Sequence, residues 1–200
     1  NFSANEIRIK AINFNRAMAE RKNFIFNHPD KIKAVIDIVE KFNDKKIIIF
    51  SERKSISEIL HKQIKDSRIY DTSKSKKTLS KLMDDYKSNK FKVLLVAKAL
   101  DEGMDIPDID IGIIHSGNSS KINSKQRIGR LLRKDNEKVA LIINLYIENT
   151  QDQKWLINRN SNIPNIYWID NINKITYEPT KESLKEENRS DYFTKRVQLF

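Results

Sequence analysis

The densest set of groups able to do chemistry lies in eight residues, Gln126-Arg127-Ile128-Gly129-Arg130-Leu131-Leu132-Arg133. On a helix Gln126, Arg130 and Arg133 stand at offsets of four and three and share about one face, so two guanidinium groups project at one spot. A guanidinium is permanently charged and offers a planar fork of donors, which suits the oxygens of a phosphoryl group in transfer. Gly129 permits close approach of another backbone or a ligand. An ordinary exposed basic helix has no reason to carry a mid-helix glycine that costs about 1 kcal/mol.

A second cluster is acidic. Asp101-Glu102-Gly103-Met104-Asp105-Ile106-Pro107-Asp108 follows the apolar run Val93–Val96. An acidic glycine turn at the carboxyl end of a strand can take a ribose hydroxyl or a metal; read alone, it is equally a solvated turn. A magnesium-holding carboxylate directly after the strand does not fit, because Lys98–Leu100 intervene. Ser116-Gly117-Asn118-Ser119-Ser120 offers amides and hydroxyls to a phosphate, as many loops do. The only four glycines are Gly103, Gly112, Gly117 and Gly129, so neither G-x-x-x-x-G-K-S/T nor G-x-G-x-x-G can be built. Phosphates must be met by something other than a glycine-rich cradle.

The elements that must position these residues follow from the hydrophobic periods. Asn5–Arg21 reads as a charged amphipathic helix. Pro29 suits a first helical position, and Ile32, Val35, Ile36, Val39 and Phe42 form a core-facing stripe. Lys46–Phe50 is a continuous β-branched run, the mark of a strand covered on both faces. Then come a helix over Ser55–Ile64 with Ile56, Ile59 and Leu60 at helical spacing, a strand over Arg68–Tyr70, a helix over Lys76–Ser88 with Leu79, Leu82 and Met83 inside, and a strand over Lys92–Val96. Strands at Ile109–His115 and Val139–Tyr146 and helices near Lys125–Leu132 and Thr150–Arg159 complete the alternation. It predicts an α/β fold, a parallel sheet of about five strands with helices on both faces and ligands at the strands' carboxyl ends. In the last forty residues, Ile166–Ile169 and Lys174–Tyr177 flank Asp170–Asn173 like a small hairpin, followed by a charged stretch.

Charge and composition bound the rest. The formal net charge is +11, and all of it lies in residues 1–100, with 23 basic against 12 acidic side chains; residues 101–200 carry 15 of each. A basic half suits nucleic-acid phosphates. Compositional drift produces the same surplus, since Lys outnumbers Arg by 27 to 11 and Ile and Asn are abundant. With no Cys there is no disulfide framework, no Cys-ligated zinc and no thiol nucleophile. No apolar run approaches the roughly 18 residues of a membrane span. Residue 1 is Asn rather than Met, which points to a piece of a longer protein.

Taken in order, KIIIFSE (46–52), VLLVAKALDEGMDIPDIDIGIIHSG (93–117) and QRIGRLLRK (126–134) resemble motifs IV, V and VI of the second RecA-like domain of superfamily 2 helicases. The nearest branch is the DNA helicases of the XPB type, with their archaeal, phage and restriction-subunit relatives. The resemblance covers about residues 28–160, so residues 1–27 are expected to be a helical linker and residues 161–200 a C-terminal extension.

The resemblance implies an ATPase site shared with a first RecA-like domain that supplies Walker A and the Asp-Glu box and binds most of the ATP with Mg2+. Arg130 and Arg133 match the family's arginine fingers, Gln126 a γ-phosphate sensor and Arg127 an interdomain strut near the nucleotide. Gly103 and Asp105 match the motif V pair whose carboxylate reaches the ribose. Ser51 and Arg53 match motif IV contacts to the nucleic-acid backbone, with Lys98, Ser116, Gly117 and Asn118 as further contacts; no metal ligand is implied in this chain. Two positions depart from the family: Ala97 stands where a Ser or Thr is usual, and Leu79 where an Arg is common, with Lys76 and Lys77 beside it.

The implied protein is an ATP-dependent DNA helicase or translocase, cytoplasmic and DNA-associated, whose second motor domain alone is catalytically silent. A restriction-system motor subunit shares the same motifs. A non-enzymatic RecA-like nucleic-acid-binding module would keep the fold without needing the arginine pair.

Overall fold

Every residue of Ile47–Ser51 is buried, with no alternation between faces. A strand of this kind must be covered on both sides, and it becomes the centre of the sheet. The computed structural model describes residues 3–97, 109–117, 140–161 and 166–177. Their elements run α1 (Ala4–Phe26), α2 (Pro29–Lys41), β1 (Ile47–Ser51), α3 (Lys54–Gln63), β2 (Ser67–Tyr70), α4 (Lys76–Lys87), β3 (Val93–Ala97), β4 (Ile111–Ile114), β5 (Leu141–Asn144), α5 (Gln151–Asn160) and one 3-10 turn, Ile172–Lys174. The five strands form one sheet in the order β2-β3-β1-β4-β5. All pairings are parallel, with Ile47 opposite Val93 on one side and Ile111 on the other.

Alternate residues of the central strands feed two cores. Ile47, Ile49, Val93, Leu95, Ile111 and Ile113 meet Val35, Ile38 and Val39 of α2 and Ile56 and Leu60 of α3. Ile48, Phe50, Leu94, Val96 and Ile114 meet Met83 and Tyr86 of α4. Helices therefore lie on both faces, as the alternation predicts. Each buried aliphatic side chain is worth roughly 1.5–3 kcal/mol, so the strands are held chiefly by what covers them.

Local chemistry ends the elements where few glycines are available. α4 closes with Asn89 at φ 58°, Asn89 N–H on the Tyr86 carbonyl and Lys90 N–H on the Asp85 carbonyl, a Schellman motif with Asn in the left-handed position that glycine usually takes. α1 opens with a reciprocal capping box between Ser3 and Glu6. Only Ile25 and Phe26 of that helix are buried, while Ile7, Ile12 and Phe14 are 57%, 56% and 64% exposed.

The expected hairpin at residues 166–177 does not form. Asn171 instead takes the Asn173 amide on its side chain and starts the 3-10 turn, and Lys41 Nζ donates to the carbonyls of Ile172 and Asn173 at 2.9 Å each. Ile175 is buried in the α2–α3 core, and the Tyr177 hydroxyl donates to Asp110 Oδ1 at 3.1 Å. Burial and the Asp110 charge push the Tyr177 phenol up to about 12. Contacts to Lys41 of α2 and to Asp110 satisfy this segment instead of pairing with itself.

Tyr86 is the anchor of the α4 face: fully buried, it donates to the Ile47 carbonyl at 2.9 Å and packs against Phe91 at 5.2 Å. Tyr86→Phe is expected to cost about 1 kcal/mol in urea unfolding with an unchanged m-value. A loss below about 0.3 kcal/mol would mean that this hydrogen bond contributes nothing net.

Candidate functional site

The sheet order defines where a ligand can enter. From β1 the chain leaves toward β2 and β3, whereas from β4 it leaves toward β5 on the other side. The connections diverge between β1 and β4, and in such sheets the crevice outside the carboxyl ends at that switch point is the binding site. Ser51-Glu52-Arg53 ends one strand and His115-Ser116-Gly117 the other. The two loops are tied together by the Glu52 amide, which donates to Ser116 Oγ at 3.0 Å.

Four sequence-predicted site residues fall on these loops. Ser51 is buried; its hydroxyl bonds the Arg53 carbonyl and Ser57 Oγ, both at 3.0 Å, and so shapes the turn into α3. Arg53 occupies the N-cap position of α3 without a side-chain cap bond. Its guanidinium donates to Asn23 Oδ1 and lies 5.7 Å from the centre of the Phe26 ring, which joins it to the last turn of α1. Ser116 and Gly117 are buried, and the Gly117 carbonyl accepts from Arg159 at 3.0 Å. Gln126, Arg127, Arg130, Arg133, Gly103, Asp105, Lys98 and Asn118 lie outside the described residues. So does the helix expected at Lys125–Leu132.

Beside Arg53, Lys54 pairs with Asp71 at 2.7 Å. The Lys54 hydrogen bond, with those from Ser73, holds the Asp71 carboxyl down at about 2.

A buried polar cluster under the crevice has no counterpart among the sequence expectations. Lys31, in the first turn of α2, donates to Asp152 Oδ2 at 2.8 Å with side chains 3% and 0% exposed. Burial pulls the Lys31 ammonium below the ordinary lysine value; Asp152 opposes this and Arg159 adds to it. Asp152 Oδ2 also accepts the Ile147 amide at 3.2 Å. His115 is fully buried at the end of β4, and neither ring nitrogen has a hydrogen-bond partner among the described residues. Its imidazole is pushed down to about 3, first by burial and then by the Lys31 charge. Residues scattered at 31, 115, 152 and 159 give a sequence reader no spacing to notice; only His115, next to Ser116-Gly117, sits near a motif.

Among the described residues there is no group of three or more His, Cys, Asp or Glu able to hold a metal ion, and no helix long and apolar enough to cross a membrane.

A five-stranded parallel sheet in this order, with helices on both faces, is the α/β RecA-like fold. Residues 30–135 match the family described as the helicase conserved C-terminal domain, and the chain belongs to that family. It is 27% identical over 139 residues to the DNA 3'-5' translocase XPB2 of Sulfurisphaera tokodaii, covering 69% of this chain and 31% of that protein. It is also 27% identical over 181 residues to the ATP-dependent DNA helicase MPH1 of Scheffersomyces stipitis, covering 64% of this chain and 17% of that one. The chain thus spans a third or less of these curated relatives. The C-terminal domain of the DEAD-box protein Dbp5 superposes with a TM-score of 0.61 at 21% identity, covering 72% of this chain and 83% of that domain, a likeness of fold.

The state of His115 has a measurable consequence. The unfolded imidazole takes a proton near pH 6.5, the folded one only near pH 3. Between those values the unfolded state binds more protons, so stability falls as pH drops, by up to about 1.4 kcal/mol per pH unit. His115→Phe is expected to flatten that slope in urea titrations from pH 7 to 4; an unaltered slope would assign the acid sensitivity to other groups.

Proposed function

We propose that this chain is the second motor domain of an ATP-dependent DNA helicase or translocase, completing an ATPase site whose Walker A and Asp-Glu box lie on a first RecA-like domain of the same protein. The observation that carries the reading is positional: within a helicase C-terminal domain, the strands ending in Ser51–Arg53 and Ser116–Gly117 flank the switch crevice, and the matched region runs on through Arg133. Residues 28–160 form the motor domain, residues 1–27 a helical linker to it and residues 161–200 an extension.

In this reading Arg130 and Arg133 meet negative charge that develops on the γ-phosphoryl oxygens, Gln126 senses the γ-phosphate, Arg127 braces the interdomain face, and Asp105 beside Gly103 reaches the ribose. Mg2+ comes with the ATP on the first domain, where it neutralises phosphate charge. Arg53 and Lys98, with amides of the 116–118 loop, hold backbone phosphates of one DNA strand, positioning contacts without base readout. Closure on ATP with both domains gripping the strand, followed by opening after hydrolysis, shifts the grip along the backbone.

The chain by itself is expected to turn over no Mg-ATP, and in the complete protein Arg133→Ala should lower kcat by about 10³–10⁵ while DNA affinity stays within a few-fold. Steady-state ATPase assays and DNA titrations test this together. Turnover by the isolated chain, or equal loss of kcat and affinity, sinks the reading. Arg53→Ala should weaken DNA binding uniformly across sequences and reduce the slope of log affinity against log salt by about 1. An unchanged slope would leave Arg53 only its contacts to α1.

A further inference from the structure

Asp152, Leu156 and Arg159 lie four and three residues apart on α5, and all three are buried. They form one inward stripe, with the two charged residues about 10 Å apart along the axis. At one end Asp152 is held by the Lys31 ammonium at 2.8 Å and the Ile147 amide at 3.2 Å, which fixes α5 to the first turn of α2 and to the turn after β5. At the other end Arg159 Nη1 donates to the Gly117 carbonyl at 3.0 Å. Gly117 lies three residues beyond the end of β4, which borders the crevice, and nine, thirteen and sixteen residues later the sequence reaches Gln126, Arg130 and Arg133.

Burying two cations and one carboxylate is costly, and replacing a buried pair by apolar side chains of similar volume is often neutral or stabilising. Stability alone therefore does not account for the charges. What they supply is direction: a guanidinium N–H donating to a carbonyl fixes a position that an apolar contact would leave free to slide.

We propose that α5 is a strut, and that Arg159 is a positioning residue which sets the Gly117 carbonyl and, through it, the start of the segment bearing the catalytic arginines. Lys31 and Asp152 anchor the strut's far end. This rests on the assignment of Arg133 above and extends it to a residue that touches neither nucleotide nor DNA.

The test uses the full-length parent protein, with Arg159→Gln and Arg159→Lys each placed in the wild-type and Arg133→Ala backgrounds. Arg159→Gln is expected to lower ATPase kcat roughly 10- to 100-fold, the scale of a small misplacement, with KM for ATP and Kd for DNA within about twofold. Arg159→Lys, which keeps the charge and a donor, should recover part of that loss. In the Arg133→Ala background each change should lower kcat by a smaller factor than in the wild type, because only Arg130 and Gln126 remain on the segment to be misplaced. Hydrogen exchange should rise in the peptide covering residues 115–125 and stay unaltered in β1 and β3.

An unchanged kcat, an undiminished further loss on top of Arg133→Ala, or exchange that rises throughout the sheet would overturn the strut. If Arg159→Gln does not fold, the Lys variant carries the same comparisons. Should Arg133→Ala itself leave kcat intact, the reading of Arg133 fails, while the exchange pattern still decides whether Arg159 fixes the Gly117 segment.

Discussion

Parallel pairing of β1 to both of its neighbours is the constraint on which the rest of this domain depends. With β3 bonded along one edge and β4 along the other, β1 has both faces packed under helices and no polar side chain before Ser51. Polar chemistry is driven to where the strands stop. The same pairing places the end of β1 beside the end of β4, so that the Glu52 amide reaches Ser116 Oγ and the two loops become one structure. Because the strands point the same way, residues 64 positions apart in sequence meet at one edge of the sheet.

Charge is distributed in two registers. Most of the basic surplus is solvated, and exposed pairs such as Arg16 with Glu20 contribute little to stability. The Lys31, Asp152 and Arg159 cluster differs because water is excluded and each group must find its partner within the protein. His115 sits against it as a neutral ring, since a further positive charge beside Lys31 in that environment is strongly disfavoured. Helix α1 connects to the same region from outside, through Asn23 and Phe26 on Arg53 and through Phe26 against Trp155 of α5 at 6.1 Å.

The strands were legible because buried parallel strands are written as unbroken β-branched runs, and KIIIF and VLLV allow little else. The helices were legible from their stripes and from Pro29, with boundaries that shift by a residue or two at most for α2, α3 and α4. The reading went astray where local pattern competes with tertiary contact. Residues 166–177 alternate well enough for a hairpin, yet Lys41 and Asp110 offer their polar groups better partners than a second strand would. Of the candidate site, Ser51, Arg53, Ser116 and Gly117 could be picked out from their motifs. Lys31, Asp152 and Arg159 could not, since an isolated Lys, Asp or Arg is by far most often solvated.

By itself the sequence determined the five strands, the helices α2 to α4, the parallel class of the sheet and the family, because periodicity and contiguous motifs are local properties that survive without coordinates. The tertiary structure alone decided which strand ends meet, that Ser51 and Ser116 spend their hydroxyls on shaping loops, and that three charged residues from α2 and α5 converge beneath the crevice. Those facts depend on long-range register and on desolvation. Both are set by how the chain closes on itself and leave no mark in the order of its residues.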